Sequence, residues 1–200
     1  DLLENENLDL VSLCTPSGMH PEQAILAAKY KTGVISEKPM ATRYKDGLKM
    51  VRACDDANVR LFVVKQNRLN PTLKLLKRAV SEKRFGSIKM VHLNVFWTRP
   101  QSYYDKGLGW RGSWEFDGGA FMNQASHYID LVEWLIGSVE KVQAMTNTSR
   151  DIEAEDTGVL NFRWKNGALG SMAVTMLTYP KNFEGSITIL GDCGTVRVGG

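Results

Sequence analysis

The first 64 residues alternate short apolar runs with helical stretches, and this alternation constrains the fold more than any other feature of the chain. "LDLVSLC" (8–14) is an apolar run closed by "TPSG", which reads as a buried strand ending in a tight turn. Pro21 opens "PEQAILAAKYK", a helix with proline near its first turn, and Gly33 closes it. "VIS" (34–36) and "RLFVV" (60–64) are the next strands. Between them a helix over 44–58 carries Leu48, Val51 and Ala57 at helical spacing. Strands and helices in this order predict βαβ units and a parallel sheet. Right-handed crossovers then bring all three strand ends to one rim.

The character changes after Gln66. "NPTLKLLKRAVSEKRFG" is an amphipathic helix stopped by Gly86, and "SIKMVHLNVFW" (87–97) alternates with Val91, Leu93, Val95 and Trp97 on one face. A helix is expected from about Gly119 to Ile136. "VEKVQAMTNT", "TGVLNFRW", "ALGSMAVTML", "GSITILG" and "GTVRVGG" then follow with short turns, which predicts a meander of mostly antiparallel strands. The expected class is α/β: part of a parallel sheet over 1–66, then an open, mostly antiparallel sheet domain over 67–200. An uncovered apolar sheet face rarely stays in water. The face bearing Met172 and Val174 is therefore the expected subunit interface of a homodimer or homotetramer.

Charge excludes some partners. The 25 basic and 22 acidic side chains leave a net charge of +3, too even for a nucleic-acid or membrane-surface protein. No apolar run reaches the ~20 residues of a membrane helix. Cys14, Cys54 and Cys193 are odd in number and far apart, as expected of reduced thiols in a cytoplasm. No paired-histidine or C-x-x-C spacing occurs, so no metal is expected. The chain opens without Met and in mid-pattern, which reads as a piece of a longer one.

Three strand ends carry unusual residues: "TPSGMH" with Thr15, Ser17 and His20, "EKP" with Glu37 and Lys38, and "KQN" with Lys65, Gln66 and Asn67. Each alone reads as a polar loop. Together on the carboxyl rim of a parallel sheet they form a ligand site. Short hydroxyls, free backbone N–H groups and one carboxylate suit the ribose and nicotinamide of a dinucleotide. The glycine-rich turn that would hold a pyrophosphate is not in this chain. In "GGAFMNQASHYIDLVEWL" (118–135), helical geometry puts Asn123, His127 and Asp130 within about 60° of one another. Ala125, Tyr128, Val132 and Leu135 fall opposite. The strip is either a solvated face or a general base flanked by hydrogen-bonding groups. Gly118–Gly119 favours the second reading, because glycines let a ligand approach the backbone. Lys38 is either a surface lysine or the group that stabilises an alkoxide as hydride leaves. "FWTRPQSYYDKGLGWRGSWEFDGG" (96–119) is either a packed loop or a ligand loop, with Arg99, Tyr103, Tyr104, Trp110 and Arg111 as candidates. His92 alternates with Asn94 and Phe96 and reads as a structural or sheet-interface residue.

"EKP" after a strand, followed about eighty residues later by "GG…H..D", resembles the glucose–fructose oxidoreductase / inositol dehydrogenase family over essentially the whole chain. The resemblance implies an N-terminal Rossmann domain, a C-terminal open-sheet α/β domain and NAD as cofactor. "VVKQNRLNP", "NVFWTRPQSYYD" and "WRGSWEFDGGAFMNQASHYIDLVEWLIG" look closest to the nucleotide-sugar subgroup. Its members oxidise the C3 hydroxyl of UDP-2-acetamido-2-deoxy-glucuronate in surface polysaccharide synthesis. By this resemblance Lys38 is the catalytic lysine and His127 the acid–base residue. Thr15, Pro16, Ser17, His20, Glu37, Gln66, Trp110 and Arg111 would meet the cofactor. Arg99, Tyr103, Tyr104, Asn123 and Asp130 would meet the sugar nucleotide. Where many members have aspartate four residues before the histidine, this chain has Asn123. That leaves open whether His127 alone takes the proton or Lys38 shares it. The alternatives are another sugar or cyclitol dehydrogenase, or a non-catalytic dinucleotide or nucleotide-sugar sensor.

Overall fold

The computed structural model describes residues 2–199. A short helix, α1 (Leu2–Asn5), precedes a parallel sheet of β1 (Leu10–Leu13), β2 (Gly33–Ser36) and β3 (Leu61–Val63), in the order β1-β2-β3. Helices α2 (His20–Lys29) and α3 (Tyr44–Asp56) form the crossovers. Ala24, Ala27 and Ala28 recur at helical spacing on α2 and bring it close to Leu13 and Val34. The buried stripe of α3 is Gly47, Met50 and Cys54, not the expected Leu48, Val51 and Ala57. Gly47 faces Met40 and Ala41 of the loop after β2, and this contact rotates the helix and leaves Val51 exposed. All three strands point one way, so residues 14–17, 37–39 and 64–67 leave the sheet on the same rim.

The second unit begins at α4 (Pro71–Ser81), whose first turn is capped by the Asn70 side chain accepting the Thr72 N–H at 2.9 Å. The helix ends before Gly86. Lys83 already takes a left-handed φ of 56°, and Gly86 (φ 68°) lies in the turn into β4. Then come β4 (Ile88–Phe96), α5 (Gln101–Asp105), α6 (Ser126–Ile136), β5 (Val139–Asn147), β6 (Thr157–Trp164), β7 (Leu169–Thr175), β8 (Glu184–Gly191) and β9 (Thr195–Gly199). The sheet order is β5-β6-β7-β4-β8-β9, with β4 and β7 parallel and the other pairs antiparallel. A plain meander is therefore corrected. The strand formed first in sequence sits between β7 and β8, where flanks on both sides bury Val91, Leu93 and Val95 completely.

Leu73 and Leu76 of α4 and Leu131, Val132 and Leu135 of α6 pack on one face of this sheet. Met172 and Val174 belong to that covered face, each 1% exposed, so they are not the open surface expected from the sequence. Alternation places Met90, His92, Asn94 and Phe96 on the other face, beside Leu169, Ser171, Ala173 and Thr175 of β7. His92 bonds the Ser171 hydroxyl there at 2.8 Å. No helix among the described residues is long and apolar enough to cross a membrane.

Candidate active site

The rim of the parallel sheet is tied together before it can hold anything. His20 is 1% exposed, with Nδ1 2.9 Å from the Pro39 carbonyl and Nε2 2.9 Å from the Thr15 carbonyl. Both ring nitrogens lie against backbone carbonyls, so His20 joins the first strand-end loop to the second. Ser17 is buried with it, and Pro16 is half-buried. Thr15 stays exposed, its hydroxyl donating to Gln23 Oε1 at 2.6 Å. Glu37 Oε2 accepts the Lys38 N–H at 3.1 Å. Gln66 is exposed in a 3-10 turn, Gln66–Leu69, beyond β3.

Lys38 leaves this rim and crosses to the second unit. Its Nζ donates to Asn123 Oδ1 at 2.9 Å and to the Asn123 carbonyl at 3.2 Å. Asn123 does not sit on a helix, as the spacing argument expected. Helix α6 starts at Ser126, and residues 120–125 form consecutive turns. The Ala125 N–H reaches back to the Ala120 carbonyl, a wider loop than α-helical bonding, after Gly118 has turned at φ 75°. Asn123 therefore approaches Lys38 from a turn, with His127 four residues on at the start of α6.

Sequence reasoning missed Asp117. It is 2% exposed; one oxygen accepts the Gly112 N–H at 2.8 Å and the other accepts Asn123 Nδ2. Its only sequence signal is an acid directly before Gly118–Gly119. The segment that carries it docks on the parallel-sheet rim. The Gly18 N–H donates to the Phe116 carbonyl at 3.0 Å, and the Thr42 hydroxyl donates to the Glu115 carbonyl at 3.0 Å. A Cβ on Gly18 would lie 2.0 Å from the Glu115 carbonyl oxygen, so only glycine fits.

Burial and charge couple these groups. Burial, then Lys38 and Lys65, lower the pKa of His127, against smaller opposing effects of Asp130 and Glu37. Burial and the two lysines both favour the neutral imidazole. Burial also lowers the pKa of Lys38, with Glu37 and Asp117 acting the other way and Lys65 and Arg99 adding to it. Asp117 is raised, again by burial first. Asp130, expected among substrate contacts, is otherwise engaged. Arg68 grips both its oxygens, at 2.8 and 2.6 Å, and Lys65 lies 3.7 Å away. That pair fixes α6 to the turn beyond β3.

The aromatic and arginine loop forms the outer wall. The Tyr103 ring lies between two guanidinium groups, Arg111 at 4.4 Å and Arg99 at 5.4 Å. Arg99 also lies over Trp97, and Arg111 over Trp110. Arg111 donates one N–H to the Tyr103 carbonyl at 3.0 Å, while its Nε is buried without a partner. Tyr104 is 6% exposed, and its phenol is pushed up to about 12 by burial first. It is a neutral wall of a 430 Å³ cleft shared with Gln101, Arg111, Ser113 and Asp151. Among the described residues, no group of three or more His, Cys, Asp or Glu could hold a metal ion.

Residues 1–65 match the oxidoreductase family with an NAD-binding Rossmann fold, and residues 73–197 match the GFO/IDH/MocA C-terminal domain. The chain is 65% identical to the WlbA dehydrogenase from Bordetella pertussis, solved in complex with NADH and UDP-GlcNAcA. The two superpose with a TM-score of 0.97 over 99% of this chain and 57% of that one. The WlbA enzyme from Chromobacterium violaceum, solved with the same two ligands, is 66% identical with the same TM-score and coverage. Myo-inositol 2-dehydrogenase from Thermotoga maritima is 30% identical over 85% of this chain and 50% of its own length. The chain spans about half the length of the curated relatives it matches. These matches establish that the chain belongs to the GFO/IDH/MocA family of NAD-binding oxidoreductases.

Proposed function

We propose that this chain carries the reacting groups of a dehydrogenase that oxidises the C3 hydroxyl of UDP-2-acetamido-2-deoxy-glucuronate in surface polysaccharide synthesis. The observation that carries the reading is the Lys38–Asn123 bond between the two units, with His127 at the start of the next helix. The likeness to dehydrogenases solved with NADH and UDP-GlcNAcA supports the choice of substrate.

The rim chemistry fits NAD. Glu37 supplies an acceptor for ribose hydroxyls, Gln66 an amide-type partner, and Thr15 a hydroxyl. When bound, the nicotinamide accepts hydride from the sugar carbon. The side chains then have defined tasks. Neutral His127 takes the hydroxyl proton, and its depressed pKa keeps it unprotonated at neutral pH. The Lys38 ammonium donates to the same oxygen and stabilises the alkoxide as it forms. Arg99 and Arg111 offer guanidinium groups to a uronate carboxylate or a diphosphate, and the unpartnered Arg111 Nε is available to an anion. The two guanidinium groups near the Tyr103 ring, Arg99 and Arg111, favour such an anionic substrate over a free cyclitol. We further propose a cytoplasmic homodimer or homotetramer joined through the open sheet face, where Met90, Val159 and Leu169 are about half exposed.

The test is the full-length enzyme with NAD and a panel of UDP-sugars, free sugars and cyclitols, followed by NADH absorbance. The expected result is fastest turnover with UDP-GlcNAcA and a 3-keto product. Preference for a free sugar or cyclitol, or ligand binding without turnover, overturns the reading.

A further inference from the structure

We propose that Asp117 is a positioning residue that, through the side-chain amide of Asn123, fixes where the Lys38 ammonium sits. The proposal rests on the reading of Lys38 as a catalytic group.

Hydrogen-bond polarity carries it. An ammonium has three donors and no acceptor, so only the Oδ1 end of Asn123 can meet Lys38. The Nδ2 end must then face away, and it needs an acceptor. Asp117 is that acceptor, and its second oxygen is filled by the Gly112 N–H. The track runs in one direction, from ammonium to amide oxygen and from amide N–H to carboxylate. An acceptor-only group is required at its buried end. Asp117 also directly follows Glu115 and Phe116, which are held by Thr42 and Gly18. The track is thus registered to the same rim from which Lys38 emerges.

Asparagine at 117 makes the track unsolvable. If its oxygen keeps the Gly112 N–H, its NH₂ meets the NH₂ of Asn123. If it flips, its NH₂ meets the Gly112 N–H. If Asn123 flips instead, an NH₂ meets the Lys38 ammonium. Every arrangement leaves one donor against another. Lys38 is half-exposed on a flexible stem and is the member able to leave, retaining only the Asn123 carbonyl contact. Exchanging the two residues solves the problem again. In D117N/N123D, the carboxylate at 123 accepts from Lys38 and from the new amide, whose oxygen accepts the Gly112 N–H. The two units keep the same number of carboxylates.

The experiment uses the full-length enzyme as wild type, D117N, N123D, D117N/N123D and K38A. Lys38 acylation by acetic anhydride is followed from pH 6 to pH 10 by mass spectrometry, without cofactor or substrate. Turnover is measured in parallel. Glu37, Asp117, His127, Lys65 and Arg99 all face the ammonium, and D117N removes one of the charges that favours its protonation. D117N is expected to acylate Lys38 several-fold faster at the high-pH plateau, because the amine has left the track, to lose about 10–100-fold in kcat, and to change KM by about threefold or less. D117N/N123D is expected to return labelling and kcat to within about threefold of wild type. A role of Asp117 through charge alone would shift the pH midpoint of Lys38 labelling in folded D117N and leave the plateau rate at high pH as in wild type. A wild-type plateau rate in D117N, or no recovery in the exchanged variant, overturns the proposal. If D117N does not fold, the exchanged variant decides alone by the same two readouts. Turnover that survives K38A would overturn the parent reading of Lys38, and the labelling arm would still judge the positioning claim.

Discussion

At the scale of single residues, the proposed reaction needs a neutral His127 beside a protonated Lys38. His127 is buried beside Lys38 and Lys65, so its pKa lies below the usual histidine range near 6.5. The acting form is the neutral one, which dominates above that pKa. The oxidation rate is therefore expected to hold through neutral pH and to fall only below the normal histidine range. Measuring kcat/KM from pH 4.5 to pH 8 checks this, and an acid limb at or above pH 6.5 would contradict it. Replacing Lys38 or His127 with alanine is expected to lower kcat by about 10²–10⁴-fold, with UDP-sugar affinity by calorimetry little changed. The proposed roles of Lys38 and His127 start from local patterns, a strand end before proline and a histidine after paired glycines. The burial of Asp117 and His20 does not. An acid or an imidazole is buried only when a particular loop closes on it. His20 finds its two carbonyls 5 and 19 residues away, and Asp117 finds its partners in the turns on either side.

At the scale of elements, the loop over 110–117 and helix α6 are held against the parallel-sheet rim by few contacts, each of which can be removed singly. Gly18→Ala would drive a Cβ to 2.0 Å from the backbone oxygen of Glu115. It is expected to destabilise the protein by about 1–3 kcal/mol and to lower turnover, because the segment that moves leads into Asp117. Denaturant midpoint and kcat on the same preparation check both. Arg68→Ala would leave the mostly buried Asp130 with Lys65 alone, a loss of about 1–3 kcal/mol. A midpoint unchanged from wild type would show that the clasp does not hold α6. The βαβ pattern gave the parallel sheet because period and punctuation are local properties. The insertion of β4 between β7 and β8 depends on pairing partners more than seventy residues away, and the turns before α6 are held in part by Glu155, 34 residues from Phe121. A helical wheel drawn through Gly118–Gly119 thus reached the right residue, Asn123, from the wrong geometry.

At the scale of the whole molecule, the rim of the parallel sheet meets the loop and turns before α6, while the larger sheet keeps a broad face uncovered. Met145 and Val159 are neighbours on that face, 73% and 46% exposed. If it joins subunits, Val159→Glu is expected to shift the full-length enzyme to smaller species in light scattering, with the fold intact by circular dichroism. Unchanged mass would place the interface elsewhere. Met172 and Val174 were assigned to the wrong side because alternation shows that a strand has two faces, not which of them a helix covers. The central claim is convergence: groups from two units act on one sugar carbon. Its most direct test is a crystal structure of the full-length enzyme with NAD and UDP-GlcNAcA. The account predicts Lys38 Nζ and a His127 ring nitrogen each within about 3.2 Å of the same sugar hydroxyl. A sugar bound elsewhere, or the two side chains directed to separate solvent regions, would contradict it.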